Sequence, residues 1–161
     1  MNHVKLIRDP LYLSQQPVTN IPEHQVSGLL NHIRALILLY KKEERLAMCA
    51  PEAGLHYNFF VARSPDPRQP DFDTVFESTL EPFESEGRRW VEEHGVDGVL
   101  YRVPRWRKMK MRWKYHNGQS FENMVQDIEG DVCYMAQTMC DRLAGIYLGA
   151  SDDDIEVEVG K

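Results

Sequence analysis

The chain has 161 residues, 42% of them apolar and 27% charged, with nineteen Lys and Arg against twenty-five Asp and Glu for a formal charge of −6. That length suits a single domain with its own core, and the acidic balance excludes a global positive field that would gather nucleic acid or anionic lipid. Three cysteines, Cys49, Cys133 and Cys140, with no Cys-x-x-Cys pair argue against a disulfide framework.

The N-terminal stretch to Pro10 has no apolar segment of signal-peptide length, and the longest apolar run, Ala35 to Tyr40, falls far short of the ~20 residues that cross a bilayer. A cytoplasmic chain with no membrane contact is expected. After a short extended start, Pro22 can occupy the first turn of a helix whose apolar residues Val26, Leu29, Leu30, Ile33, Leu36, Ile37 and Tyr40 recur at steps of three and four. Lys41-Lys42-Glu43-Glu44 marks its solvated end. A strand is expected at Tyr57 to Ala62, and then a loop rich in Pro and Asp from Ser64 to Asp73, the segment expected to move most.

From Val103 to Tyr115 the chain alternates, with Lys108, Lys110, Arg112 and Lys114 on one face and Met109, Met111, Trp113 and Tyr115 on the other. Asn117-Gly118 then signals a hairpin turn, with a returning strand near Ser120 to Glu122. Val125, Ile128, Val132, Met135, Met139, Leu143 and Ile146 trace one stripe of a long helix, expected from about Phe121 to Leu148. Residues 1–150 are read as one domain and residues 151–161 as a flexible acidic tail.

Three short segments carry chemistry by their pattern. They are Arg45-Leu46-Ala47-Met48-Cys49-Ala50-Pro51-Glu52-Ala53-Gly54, His94-Gly95-Val96-Asp97-Gly98, and Gln137-Thr138-Met139-Cys140-Asp141-Arg142-Leu143-Ala144-Gly145. In order and spacing they resemble the three motifs of peptide deformylases: Gly-φ-Gly-φ-Ala-Ala-Pro-Gln-x-Gly, Glu-Gly-Cys-Leu-Ser, and Gln-His-Glu-x-x-His-Leu-x-Gly. The resemblance runs from Lys5-Leu6-Ile7-Arg8-Asp9-Pro10 to Leu148. It implies an α+β fold, antiparallel sheets around a long C-terminal helix, and an ancestral hydrolase that removes formyl from N-terminal Met on a divalent metal.

The frame is kept and the reactive positions are not. Val96 stands where the resemblance places a thiolate ligand, Thr138 and Arg142 where it places two His, Met139 where it places the catalytic Glu, and Glu52 where it places an oxyanion-binding Gln. A mononuclear hydrolytic site needs about three protein ligands and an open position, and this set supplies none. Catalytic residues and a metal cofactor are therefore not expected at these degenerate positions. Arg142 offers a fixed positive charge in place of the cation, neutralised by Glu52 or Asp97; alternatively it swings out to solvent. Glu52, His94, Asp97 and Arg142 are the expected lining of a retained cleft, which would hold a peptide or protein N-terminus in extended form.

Two other functions compete with this non-catalytic one. One is a hydrolase, either a deformylase proper or a metal-independent enzyme using Cys49 with His94; Cys133 and Cys140, seven residues apart on one helix, are too far apart to share an ion. The other is an interaction module that contacts RNA, a ribosomal surface or a protein through the basic segment 102–114, where Arg102, Arg105, Arg107, Lys108, Lys110, Arg112 and Lys114 are interleaved with Trp106 and Trp113. The opposing view of that segment is a solvated strand face.

Overall fold

A computed structural model describes residues 6–42, 45–63 and 72–157. Its centre is the 14-residue helix α3 (Gly130–Leu143), which lies between two antiparallel sheets. The larger sheet has the order β1 (Ala47–Cys49), β2 (Phe59–Arg63), β3 (Phe72–Pro82), β6 (Lys108–His116), β7 (Phe121–Glu129). The smaller has the order β4 (Arg88–His94), β5 (Leu100–Trp106), β8 (Ile155–Glu156).

Side-chain alternation along β2 explains why the larger sheet is covered on both faces. Phe60 and Ala62 point to one core with Met109, Met111, Ile128 and the α3 residues Cys133, Ala136, Met139 and Leu143. Phe59 and Val61 point the other way, to Ile33, Leu36 and Tyr40 of α2 (Val26–Lys42). Of the stripe read from Val26 to Tyr40, Val26, Ile33, Leu36 and Tyr40 are the buried face of α2 while Leu30 is exposed, and the helical turns begin just after a short 3-10 turn at Glu23–Gln25. The start read as extended holds a short helix, α1 (Pro10–Ser14), capped by the Asp9 carboxylate, which accepts from the N–H groups of Leu11 and Tyr12. Of the loop read at Ser64 to Asp73, Ser64 to Asp71 lie outside the described residues, and Phe72 opens β3.

Two sequence expectations are corrected. The alternating run from Val103 to Tyr115 is two strands in different sheets, since the chain bends at Arg107 between β5 and β6. A period of two continues through such a bend and does not mark it. The helix expected from Phe121 begins only at Gly130, because the Asn117-Gly118 turn starts a hairpin that pairs from His116↔Phe121 to Lys108↔Glu129. Val125 and Ile128 are three apart and so imitate a helical stripe, yet they point to opposite faces of β7. Gly130, at φ +67°, then turns the chain out of the strand. In the segment read as a flexible tail, Ile155 and Glu156 form β8 by pairing with Arg102 and Tyr101.

The basic face of β6 is real, but it sits among carboxylates. Lys110 lies between Glu81 of β3 and Asp127 of β7, Lys108 opposite Glu129, and Lys114 3.3 Å from Glu77. Arg105 is not on that face: it is buried under β4. Among the described residues no helix is long and apolar enough to cross a membrane.

The two β7 assignments make different predictions for Val125. As a strand residue 55% exposed, its replacement in Val125→Ala costs below about 1 kcal/mol, whereas Phe60→Ala, in the core, costs about 3–5 kcal/mol. Urea unfolding measures both; a cost for Val125→Ala near that of Phe60→Ala would favour the helix instead.

Candidate functional site

Among the described residues the fold leaves two sheet edges without a strand partner, one on each side of α3. β1 ends the larger sheet and β4 ends the smaller, and between them lies a cleft of about 710 Å³. Arg45, Leu46 and Ala47 form one wall, Arg89 to His94 the other, and Tyr134, Met135, Thr138, Met139 and Arg142 of α3 the floor. Leu46 and Trp90, on opposite walls, are 55% and 57% exposed.

Beyond the end of the cleft, beside a smaller adjoining cavity, Glu52 is almost fully enclosed. It sits on a 3-10 turn, Ala50–Ala53, that Pro51 starts and Gly54, at φ +82°, ends. Its carboxylate bends back to accept from the Cys49 N–H at 2.9 Å and the Cys49 thiol at 3.0 Å, both through Oε2. Arg45 Nη2 reaches Oε1 at 2.7 Å, and Arg142 Nη1 stands 3.2 Å from Oε2. Arg142 also donates from Nη2 to the His94 carbonyl oxygen at 3.1 Å, which ties α3 to the end of β4. Burial alone would raise the Glu52 pKa, but Arg142, Arg45 and the Cys49 donors outweigh it and hold the carboxyl below its ordinary range. Burial pushes the Cys49 thiol well up, with Glu52 adding to the effect, and pushes the Tyr147 phenol, 3.9 Å from that thiol, up as well. The pair read between Arg142 and Glu52 is therefore present, and Arg142, 5% exposed, does not swing out to solvent.

A second network lies beside the first. Arg105 grips both oxygens of Glu93, at 2.8 and 2.9 Å, and donates from Nη1 to Asp141 at 2.6 Å. The Thr138 hydroxyl donates to Glu93 Oε2 at 2.6 Å and accepts from Arg105 Nη2 at 3.1 Å. Gln137 completes the tie between helix and sheet by accepting from the Trp106 N–H at 2.8 Å and donating to the Trp106 carbonyl at 2.9 Å.

The other sequence candidates are placed apart. Asp97 accepts from the Val99 N–H and the Tyr101 hydroxyl and does not reach Arg142 or line the cleft. Cys49 is buried against Glu52 and Tyr147, while the His94 side chain is exposed and contributes only its carbonyl to the cluster, so no Cys/His pair forms. Val96 packs with Leu13 and Tyr147. Arg45, Glu93, Arg105 and Asp141 were not foreseen as site residues, and the only signal was an arginine at a glycine position of the first motif.

The model of the polypeptide deformylase family matches residues 3–153 of the chain. The chain belongs to the peptide deformylase family. Solved deformylases share its fold at low identity. The Thermotoga maritima enzyme superposes with a TM-score of 0.70 at 17% identity, covering 91% of this chain and 93% of its own. The Synechococcus elongatus enzyme in complex with actinonin gives 0.77 at 15% over 93% and 81%, and the Acinetobacter baumannii enzyme bound to Met-Ala-Ser gives 0.74 at 16% over 89% and 94%. No curated protein sequence matches the chain.

The metal that the deformylase family implies does not fit the residues present. At the positions matched to ligands, Val96 has no donor atom, the Thr138 hydroxyl is engaged by Glu93 and Arg105, and Arg142 brings a cation of its own. Two positive charges a few Å apart repel by several kcal/mol even at an effective dielectric near 20. Met139, matched to the catalytic Glu, packs in the core. Among the described residues no three His, Cys, Asp or Glu side chains are placed to hold an ion.

Removing one partner of a buried ion pair strands the other. Glu52→Gln is expected to cost about 3–5 kcal/mol in urea unfolding, while Glu52→Gln combined with Arg142→Met costs less than the sum of the two singles. Because the folded-state pKa of Glu52 is lowered, its contribution is full above the ordinary carboxylate value and lost as pH falls toward the folded one. Wild-type stability should therefore drop in that acid window with a steeper slope than in Glu52→Gln. Equal slopes would show that Glu52 is not held ionised.

Proposed function

We propose that this member of the deformylase family is non-catalytic and that its cleft binds a peptide or protein terminus in extended form. The observation that carries the proposal is the buried pair between Arg142 and Glu52. It puts a fixed positive charge and its counter-charge where the resemblance places the metal and the oxyanion donor.

Among the described residues no ligand set is placed to bind and activate a water. Glu93 lines the cleft but has both oxygens held by Arg105, so it is not a free base. Glu52 already accepts from Cys49 and is ion-paired with Arg45 and Arg142, and an ionised carboxylate would repel an oxyanion rather than stabilise it. Cys49 is held as a buried thiol with no base beside it except the ion-paired Glu52.

Binding is supported by the architecture. Among the described residues the outer edge of β4 has no strand partner and can add an extended segment through main-chain hydrogen bonds, and the exposed Leu46 and Trp90 offer apolar contacts for its side chains. A fold neighbour, the Acinetobacter baumannii enzyme, is bound to the tripeptide Met-Ala-Ser. A nucleic-acid role through β6 has less support, since its lysines are matched with Glu77, Glu81, Asp127 and Glu129.

The test is metal content after purification together with formate release from a formyl-Met peptide. The expected result is sub-stoichiometric metal and no turnover. Stoichiometric iron, nickel or zinc with turnover would overturn the proposal.

A further inference from the structure

The distribution of charge along the cleft bears on which end of a peptide it takes. Arg45 and His94 line both the cleft and a smaller adjoining cavity of about 250 Å³. At that junction Arg142 faces the cleft and Glu52 the smaller cavity. Two guanidinium groups, Arg45 and Arg142, share the single carboxylate of Glu52, and Cys49 and Tyr147 beside them are neutral, so among the described residues this cluster taken by itself has an excess of one positive charge. Its hydrogen bonding is unfinished as well: Nη1 of Arg142 is buried with no aligned acceptor, although it is 3.2 Å from Glu52. Arg45, with its side chain 28% exposed, brings the charge to the surface of the cleft.

No other part of the cleft has this character. The carboxylate of Glu93 is gripped by Arg105, which it shares with Asp141, so that network carries a negative excess and offers no second anion site. Glu92 is exposed on β4, and the cleft is also lined by one further residue of each sign, Arg89 and Asp131. Asp131 is eleven residues up α3 from Arg142, about 16 Å at 1.5 Å per residue. The positive excess is thus confined to one end of a groove that spans about five residues of extended chain.

We infer that the end of the cleft formed by Arg45 and Arg142 receives a carboxylate, so that the occupant is the C-terminus of an extended peptide lying along β4. The inference rests on the cleft being a peptide site, as proposed above. A guanidinium at a surface partly removed from water favours a carboxylate strongly, through charge-assisted hydrogen bonds that Arg forms in paired geometry. A free α-ammonium in the same place would meet the unmatched positive charge. A formyl or amide carbonyl could accept a hydrogen bond there but would not balance the charge.

Fluorescence polarisation with pools of five-residue peptides, labelled at the N-terminus and apolar at alternate positions, tests this. The free acids should bind about tenfold or more tightly than the same peptides as C-terminal amides. Arg45→Gln should abolish that difference and Arg45→Lys should retain it, with near-ultraviolet circular dichroism showing that both variants are folded. A third pool, formyl-Met peptides amidated at the C-terminus and labelled on an internal lysine, should bind no better than the plain amides. Equal binding of acids and amides, or preference for the formyl pool, overturns the carboxylate inference and keeps the peptide cleft. Binding by none of the pools overturns both.

Discussion

The interaction on which the site depends is the ion pair between Arg142 near the end of α3 and Glu52 after β1, enclosed at 5% and 1% exposure. Neither charge can exist alone there. An ion moved from water into an interior is penalised by several kcal/mol even after relaxation, so each residue requires the other. The wider cluster is built around that need: Arg45 and the Cys49 N–H and thiol complete the acceptor positions of Glu52, and the His94 carbonyl takes a second donor of Arg142. The result joins β1, β4 and α3, the three elements that enclose the cleft. Such a pair adds little net stability compared with an apolar filling of the same volume; what it adds is a defined charge at a defined place.

The neighbouring network has the same architectural effect by different chemistry. Arg105 on β5 holds Glu93 on β4 and Asp141 on α3, and Thr138 closes the ring. Gln137 then fixes the end of β5 to the helix through the Trp106 backbone. With both networks formed, the helix face where the resemblance places a metal is occupied by side chains bound to one another, apart from Nη1 of Arg142, which has no aligned acceptor. The remaining open space lies beside them, between the edge strands β1 and β4.

Much of this was legible in the sequence where the signal was local. The stripe of α2, the turn at Asn117-Gly118 and the alternation of Met109, Met111 and Trp113 with Lys108, Lys110 and Arg112 each reflect a short-range period or a turn requirement. The three motif frames were recognisable because Pro51, Gly54, Gly95, Gln137 and Gly145 keep backbone or packing roles after the reactive residues have changed. The pairing of Arg142 with Glu52 could be anticipated because two motif positions meant to converge held opposite charges. What escaped were contacts with no local signature. Arg105 continues a row of basic residues, and only the third dimension turns it inward to Glu93 and Asp141. Asp97 carried the right charge on the right motif but is consumed by its own turn at Val99 and by Tyr101. Val125 and Ile128 satisfied a helical spacing that the longer hairpin overrode.

The central claim is that a fixed guanidinium charge stands in the place of a metal ion. It is tested most directly by a crystal structure determined with excess nickel, using the anomalous signal of the metal at the site enclosed by Glu52, Val96 and Arg142. The account predicts no anomalous peak there and continuous density joining Arg142 to Glu52. A peak at that position, with Arg142 displaced toward solvent, would contradict it.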